Sequence, residues 1–137
     1  MTEKLKGGCL CGNVIFEMDN NFDTFYFCHC KQCQHLTGSA FATNIFTAVD
    51  NITWLKGSGS IQNYHHPSRS FSYAFCKDCG SALPFITKSK DSLLVPAGSL
   101  MGEPNIKVKA NIFNAERSAW LDEGLQAKCL SGFPDDS

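Results

Sequence analysis

At 137 residues, 43% of them hydrophobic, the chain is long enough to bury one core without disulfide staples, so a single domain over residues 1–137 is expected. A formal net charge of -1 with no strongly basic run argues against a nucleic-acid partner. Met1 to Lys6 lacks the apolar segment of a signal peptide, and no apolar run approaches the roughly 18 residues that cross a bilayer, so a soluble, cytoplasmic protein with no membrane partner is expected.

Taken in order, the segments are mostly strand-like. Gly7-Gly8-Cys9-Leu10-Cys11-Gly12 reads as a tight turn whose glycines let backbone approach a metal. The apolar run from Asn13 to Met18 reads as a strand. A second, aromatic run from Phe22 to Phe27 delivers the chain into Cys28-His29-Cys30-Lys31-Gln32-Cys33. Gln34 to Thr37 predicts a helical turn stopped by Gly38, and Phe41 to Phe46 another strand. Ile52–Leu55 and Ile61–Tyr64 flank Gly57-Ser58-Gly59-Ser60, which reads as a hairpin loop and requires no domain boundary. Phe71–Phe75, Cys76-Lys77-Asp78-Cys79-Gly80 and Leu83–Ile86 have the strand, turn, strand form of a zinc-knuckle hairpin. Leu93–Pro96 and Lys107–Phe113 supply two further strands. No long amphipathic helix is visible, and the expected fold class is mainly β.

The eight cysteines fall largely into short-range groups, which in a reducing compartment read as metal ligands instead of disulfides. Cys129 stands apart and reads as a thiol with no role. Spacing leaves two divisions open. In the first, Cys9, Cys11, Cys76 and Cys79 close a four-thiolate tetrahedron. Cys28, Cys30 and Cys33 then form a second site with an open corner, the arrangement of a catalytic zinc more than a structural one. In the second, Cys30 and Cys33 join Cys76 and Cys79 as one zinc ribbon, leaving Cys9, Cys11 and Cys28 unused. The 42 residues between the ribbon's halves exceed the usual spacing of about 15–20, and both C-x-C pairs become accidental.

An ordered set of motifs carries a resemblance. It runs Gly8-Cys9-Leu10-Cys11-Gly12, then Cys28-His29-Cys30-Lys31-Gln32-Cys33 with Gly38-Ser39, then Phe75-Cys76-Lys77-Asp78-Cys79-Gly80-Ser81 with Leu83. Ala97-Gly98-Ser99-Leu100 follows, and Asn111-Ile112-Phe113 through Arg117 to Trp120 closes it. The set resembles the glutathione-dependent formaldehyde-activating enzyme family, which shares its domain with centromere protein V. The motifs lie within residues 7–121, leaving 122–137 as a C-terminal tail.

The resemblance implies a β-tent fold of small antiparallel sheets built around a four-cysteine structural zinc site. It implies the first division: Cys9, Cys11, Cys76 and Cys79 for a structural zinc, Cys28, Cys30 and Cys33 for a catalytic one, two zincs per chain. The implied activity is a carbon–sulfur lyase joining glutathione and formaldehyde to S-(hydroxymethyl)glutathione. A noncatalytic zinc-stabilised module that binds a thiol carrier or a protein partner is the alternative.

An open site of three thiolates acidifies bound water less than a site of neutral histidines, so it favours sulfur over water as the fourth ligand. A substrate thiol there would be held as thiolate, against a free pKa of about 8.5. Cys28, Cys30 and Cys33 are therefore cast as ligands, not nucleophiles. Candidate substrate contacts are His29, Ser39, Arg117 and Trp120. His29 and His35 also read as residues framing the loop, His65-His66-Pro67 as solvated, Ser39 and Ser99 as turn residues, and Trp54 as core. Asn111, Arg117, Ala119 and Gln34 stand where the family more often carries histidine, lysine, proline and arginine. The ligands are intact while possible substrate contacts differ.

Overall fold

In the second strand the apolar residues alternate with half-exposed ones, which sets one face inward. Phe16 and Met18 of β2 (Ile15–Asp19) are buried and their neighbours are not. The computed structural model describes residues 3–134, so the extreme ends of the expected 1–137 domain lie outside the described residues. β2 pairs antiparallel with β1 (Lys4–Gly8) and with β5 (Thr53–Lys56) to form the first sheet.

The second sheet has the order β11-β3-β4-β10-β9, from Ala110–Ile112, Thr24–Cys28, Ala42–Thr47, Leu93–Pro96 and Phe85–Ile86. The third joins β6 (Ile61–His65), β7 (Ser72–Cys76) and β8 (Ala82–Leu83). Val14, Phe16, Ile45, Ala74, Cys76, Leu83 and Val95 are fully buried and come together as one core, drawn from all three sheets or the turn beside them. Trp54 packs edge-on to Phe16 at 5.6 Å, which places it with the core. The protein is mainly β.

Four expectations about strands and their turns change. Gly7 and Gly8 belong to β1 and not to the turn, because glycine is needed there for close approach. A Cβ on Gly7 would stand 2.3 Å from the Phe16 ring and 2.6 Å from the Ser99 carbonyl. The turn itself is made at Gly12, at φ 80°. Gly57–Ser60 is not a hairpin loop, since β5 pairs with β2 while β6 pairs with β7. Those residues pass the chain from one sheet to the next through a left-handed Gly57 and a short 3-10 turn.

The Leu83–Ile86 run is cut by buried Pro84, so that β8 pairs with β7 and β9 with β10. Finally, the sheets are not all antiparallel. β11 lies parallel to β3, with Asn111 opposite Phe27 and Ile112 opposite Cys28, so the five-stranded sheet is mixed. This pairing sets the closing segment beside the three-cysteine loop, where the His29 amide donates to the Ile112 carbonyl at 3.0 Å.

Helix α1 (Lys31–Thr37) starts earlier than the expected turn and ends, as expected, at Gly38 in the left-handed region, φ 63°. Helix α2 (Ala119–Gln126) occupies the first part of the expected tail. None of its residues is buried, and Arg117 pairs with Asp122 across its first turn. That accounts for its weak signal in the sequence: a helix without a buried face carries no core periodicity.

Candidate metal centre

The sulfurs of Cys9, Cys11, Cys76 and Cys79 lie within 4.8 Å of one another, and so, separately, do those of Cys28, Cys30 and Cys33. The four-thiol set is brought together by two turns from different sheets. Cys9 leaves β1, and its carbonyl accepts from the Gly12 amide at 3.2 Å, which places Cys11 back beside it. Cys76 ends β7, and its carbonyl accepts from the Gly80 amide at 2.7 Å, which turns Cys79 inward.

Sulfur separations of 3.6 Å (Cys9–Cys11) and 3.8 Å (Cys11–Cys76) fit zinc. A tetrahedron with Zn–S bonds of about 2.3 Å has edges of about 3.8 Å. The Val14 amide donates to Cys9 Sγ at 3.3 Å, and Ser81 Oγ lies 3.2 Å from Cys79 Sγ. The Ser81 hydroxyl, with the Ser81 and Cys11 amides, holds the Cys79 thiol down at about 6. Ser81 Oγ also accepts from the Leu10 amide at 2.9 Å, tying the two turns together. Ser81 thus belongs to this centre by its contacts, which the ligand spacing did not identify.

The three-thiol set is built differently. Cys28 closes β3, Cys30 caps α1 by accepting from the Cys33 amide at 3.3 Å, and Cys33 sits in the helix's first turn. All three are buried, with Cys28 and Cys30 sulfurs 3.6 Å apart. Burial first, then contact with its sister thiols, pushes Cys33 up, and burial likewise raises Cys28. Such a set favours neutral thiols on its own and thiolates only beside a cation, so its soft donors suit zinc. No His, Asp, Glu or fourth Cys joins it among the described residues.

The loop is latched from outside by side chains of α1 and of the closing segment. Gln34 Nε2 donates to the His29 carbonyl at 2.8 Å and the Glu116 carbonyl at 3.1 Å, and Gln34 Oε1 accepts from Ser118 Oγ at 2.9 Å. His29 is 1% exposed, with Nε2 2.8 Å from Asn111 Oδ1 and no partner on Nδ1. An amide oxygen only accepts, so Nε2 is the donor of this pair. Asn111→Leu removes that acceptor and should destabilise the protein by about 1–3 kcal/mol in urea unfolding, the cost of stranding a buried donor.

A cavity of about 720 Å³ lies beside Cys33, with Ser39 and Ser99 in its lining. Arg117 and Trp120 lie outside that lining. Arg117 is engaged with Asp122 and Asn114, while half-exposed Trp120 borders a smaller recess with Lys31, Gln34 and His35. His65 Nδ1 is 2.9 Å from Ser72 Oγ, and His66 Nδ1 accepts from the Ser68 and Arg69 amides, so both histidines serve the β6–β7 loop.

A crystal structure of a Rhodobacter sphaeroides protein superposes with a TM-score of 0.61, covering 77% of this chain and 99% of that one. At 22% identity that likeness speaks for the fold alone. No curated protein gives a significant match. The sequence profile described as glutathione-dependent formaldehyde-activating enzyme matches residues 4–116, a span that holds both cysteine clusters, and the chain belongs to that family.

Proposed function

We propose that the chain is a single-domain, zinc-dependent carbon–sulfur lyase acting on a thiol–aldehyde adduct, with S-(hydroxymethyl)glutathione as the reference substrate. The observation that carries this reading is the set of three buried thiols that has no fourth protein donor among the described residues and whose member Cys33 lines a cavity, as Cys9 of the other set also does. Cys28, Cys30 and Cys33 would hold the catalytic zinc, and Cys9, Cys11, Cys76 and Cys79 a structural one. When bound in the open site, zinc supplies a soft position that lowers the pKa of a substrate thiol.

The chain's own residues do the rest. The end of β3 and the start of α1 fix the three ligands, the Gln34 latch holds the loop against the Glu116 carbonyl and Ser118, and burial keeps bulk water from the thiols. In the synthetic direction the substrate sulfur forms a bond to the aldehyde carbon. The carbonyl π pair moves to oxygen, and the proton lost by the thiol ends on that oxygen. The reverse reaction breaks the same bond, and neither direction needs an oxidant. The cysteines must stay reduced, which accords with a cytoplasmic site of action.

Cys30→Ser tests the reading. It should bring exchange between glutathione and its formaldehyde adduct, followed by NMR, down to the uncatalysed background. Zinc content should fall from two per chain to one while the protein stays folded. Unchanged exchange in the variant, or none above background in the wild type, overturns the glutathione reaction.

A further inference from the structure

The cavity beside Cys33, at about 720 Å³, has the volume of a small-molecule site, for which about 300–1,000 Å³ is usual. Phe41, Phe71, Phe85, Leu94 and Leu100 supply much of its wall, and Phe71 also packs on the three-cysteine cluster. Among the described residues that line it there is no Asp, Glu, Lys, Arg or His. Several of its hydroxyls are already engaged: Ser72 with His65, Thr37 with the Cys33 carbonyl, and Ser99 with the Pro96 carbonyl.

Glutathione would bring two carboxylates and an ammonium to this wall. Charges that lose water there find no partner of opposite sign, which costs more than the tripeptide's short apolar stretches return. Formaldehyde contributes a single carbon, so the filling of the cavity falls to the group attached to sulfur. We propose that the cavity selects an uncharged thiol with an apolar, aryl-sized substituent and disfavours glutathione. This deepens the lyase reading and rests on it. A thiol whose sulfur sits at Cys28, Cys30 and Cys33 lays its substituent against Phe71.

The test is calorimetric titration of the zinc-loaded protein, without oxygen, with benzyl mercaptan, glutathione and the sulfur-free benzyl alcohol. Benzyl mercaptan should bind at least roughly 30-fold more tightly than glutathione, from burial of one aromatic ring. Phe71→Ala should weaken benzyl mercaptan about tenfold and leave glutathione unchanged, as expected when one buried ring contact is lost. Met101 lines the same cavity but is 60% exposed, so Met101→Lys is tolerated by the fold and should tighten glutathione severalfold through a new cation.

Glutathione binding as tightly as benzyl mercaptan overturns the proposal, as does a failure of both benzyl compounds to bind. The lyase reading fails separately. If Cys30→Ser binds benzyl mercaptan as tightly as wild type and keeps its preference over glutathione, the cavity selects as proposed but the cluster does not engage sulfur.

Discussion

Cys76→Ser is expected to leave the chain without a cooperative fold. Cys76 is fully buried in the central core with Val14, Ala74 and Leu83, and its sulfur lies 3.8 Å from that of Cys11 on the far turn. Structural zinc in small domains is worth about 10–16 kcal/mol, comparable to or larger than the roughly 5–15 kcal/mol that separates a folded domain from its unfolded chain. Serine is a poor ligand for a soft site and also sets a hydroxyl among apolar neighbours. Urea titration of Cys76→Ser should show no sigmoidal transition and near-UV circular dichroism should be flat.

A strong chelator should do the same to the wild-type protein. Cys30→Ser must behave differently, keeping a cooperative transition, because its cluster sits at one end of the second sheet and leaves the four-thiol tie intact. Exposed Cys129 serves as control, and Cys129→Ser should unfold like wild type. A cooperatively folded Cys76→Ser within about 1 kcal/mol of wild type would remove the structural role from this set, since lost metal sites rank among the largest single-residue effects.

What the sequence revealed follows from which signals are local. The C-x-C, C-x-C-x-x-C and C-x-x-C-Gly spacings are read within a few residues, and short apolar runs marked Asn13–Met18 and Phe71–Phe75 as strands without knowledge of their partners, each within two residues of the strands at Ile15–Asp19 and Ser72–Cys76. Joining Cys9 and Cys11 to Cys76 and Cys79 is a long-range fact, so spacing left a ribbon open until the family's pattern and the geometry grouped the thiols. Glycine gave the most ambiguous signals, because it marks a turn at Gly12 and a crowded strand at Gly7 by the same absence of a side chain.

The parallel pairing of β11 with β3 has no local signature, so a mixed sheet was not foreseen. The same distance hides the latch. Gln34 and Asn111 looked like departures from a family pattern, yet their partners Ser118 and His29 are 84 and 82 residues away in the chain. Ser81 lay inside a quoted motif without an assigned task, because a serine after C-x-x-C-Gly is explained equally well by turn chemistry.

Gly57→Ala should cost far more than Gly38→Ala, although both residues adopt the left-handed region at φ 78° and 63°. An L-residue pays about 1–2 kcal/mol for that conformation, and this is the whole expected cost at Gly38, where nothing lies within 4 Å of an added Cβ. At Gly57 the added carbon would stand 1.8 Å from the Asn13 carbonyl oxygen and 2.7 Å from its carbon. Backbone must move, so the total should reach about 3 kcal/mol or more.

The movement also has a direction that chemistry can read. Asn13 precedes Val14, which is fully buried and whose amide donates to Cys9 Sγ at 3.3 Å. Displacing that amide loosens one ligand of the four-thiol set. Gly57→Ala should therefore release zinc to a colorimetric chelator faster than wild type, whereas Gly38→Ala, which ends α1 on the other loop, should leave that phase unchanged. Equal costs and equal release rates in the two variants would mean that the crossing from the first sheet to the third is soft. The four thiols would then be held by the metal alone and not also by the backbone that delivers them.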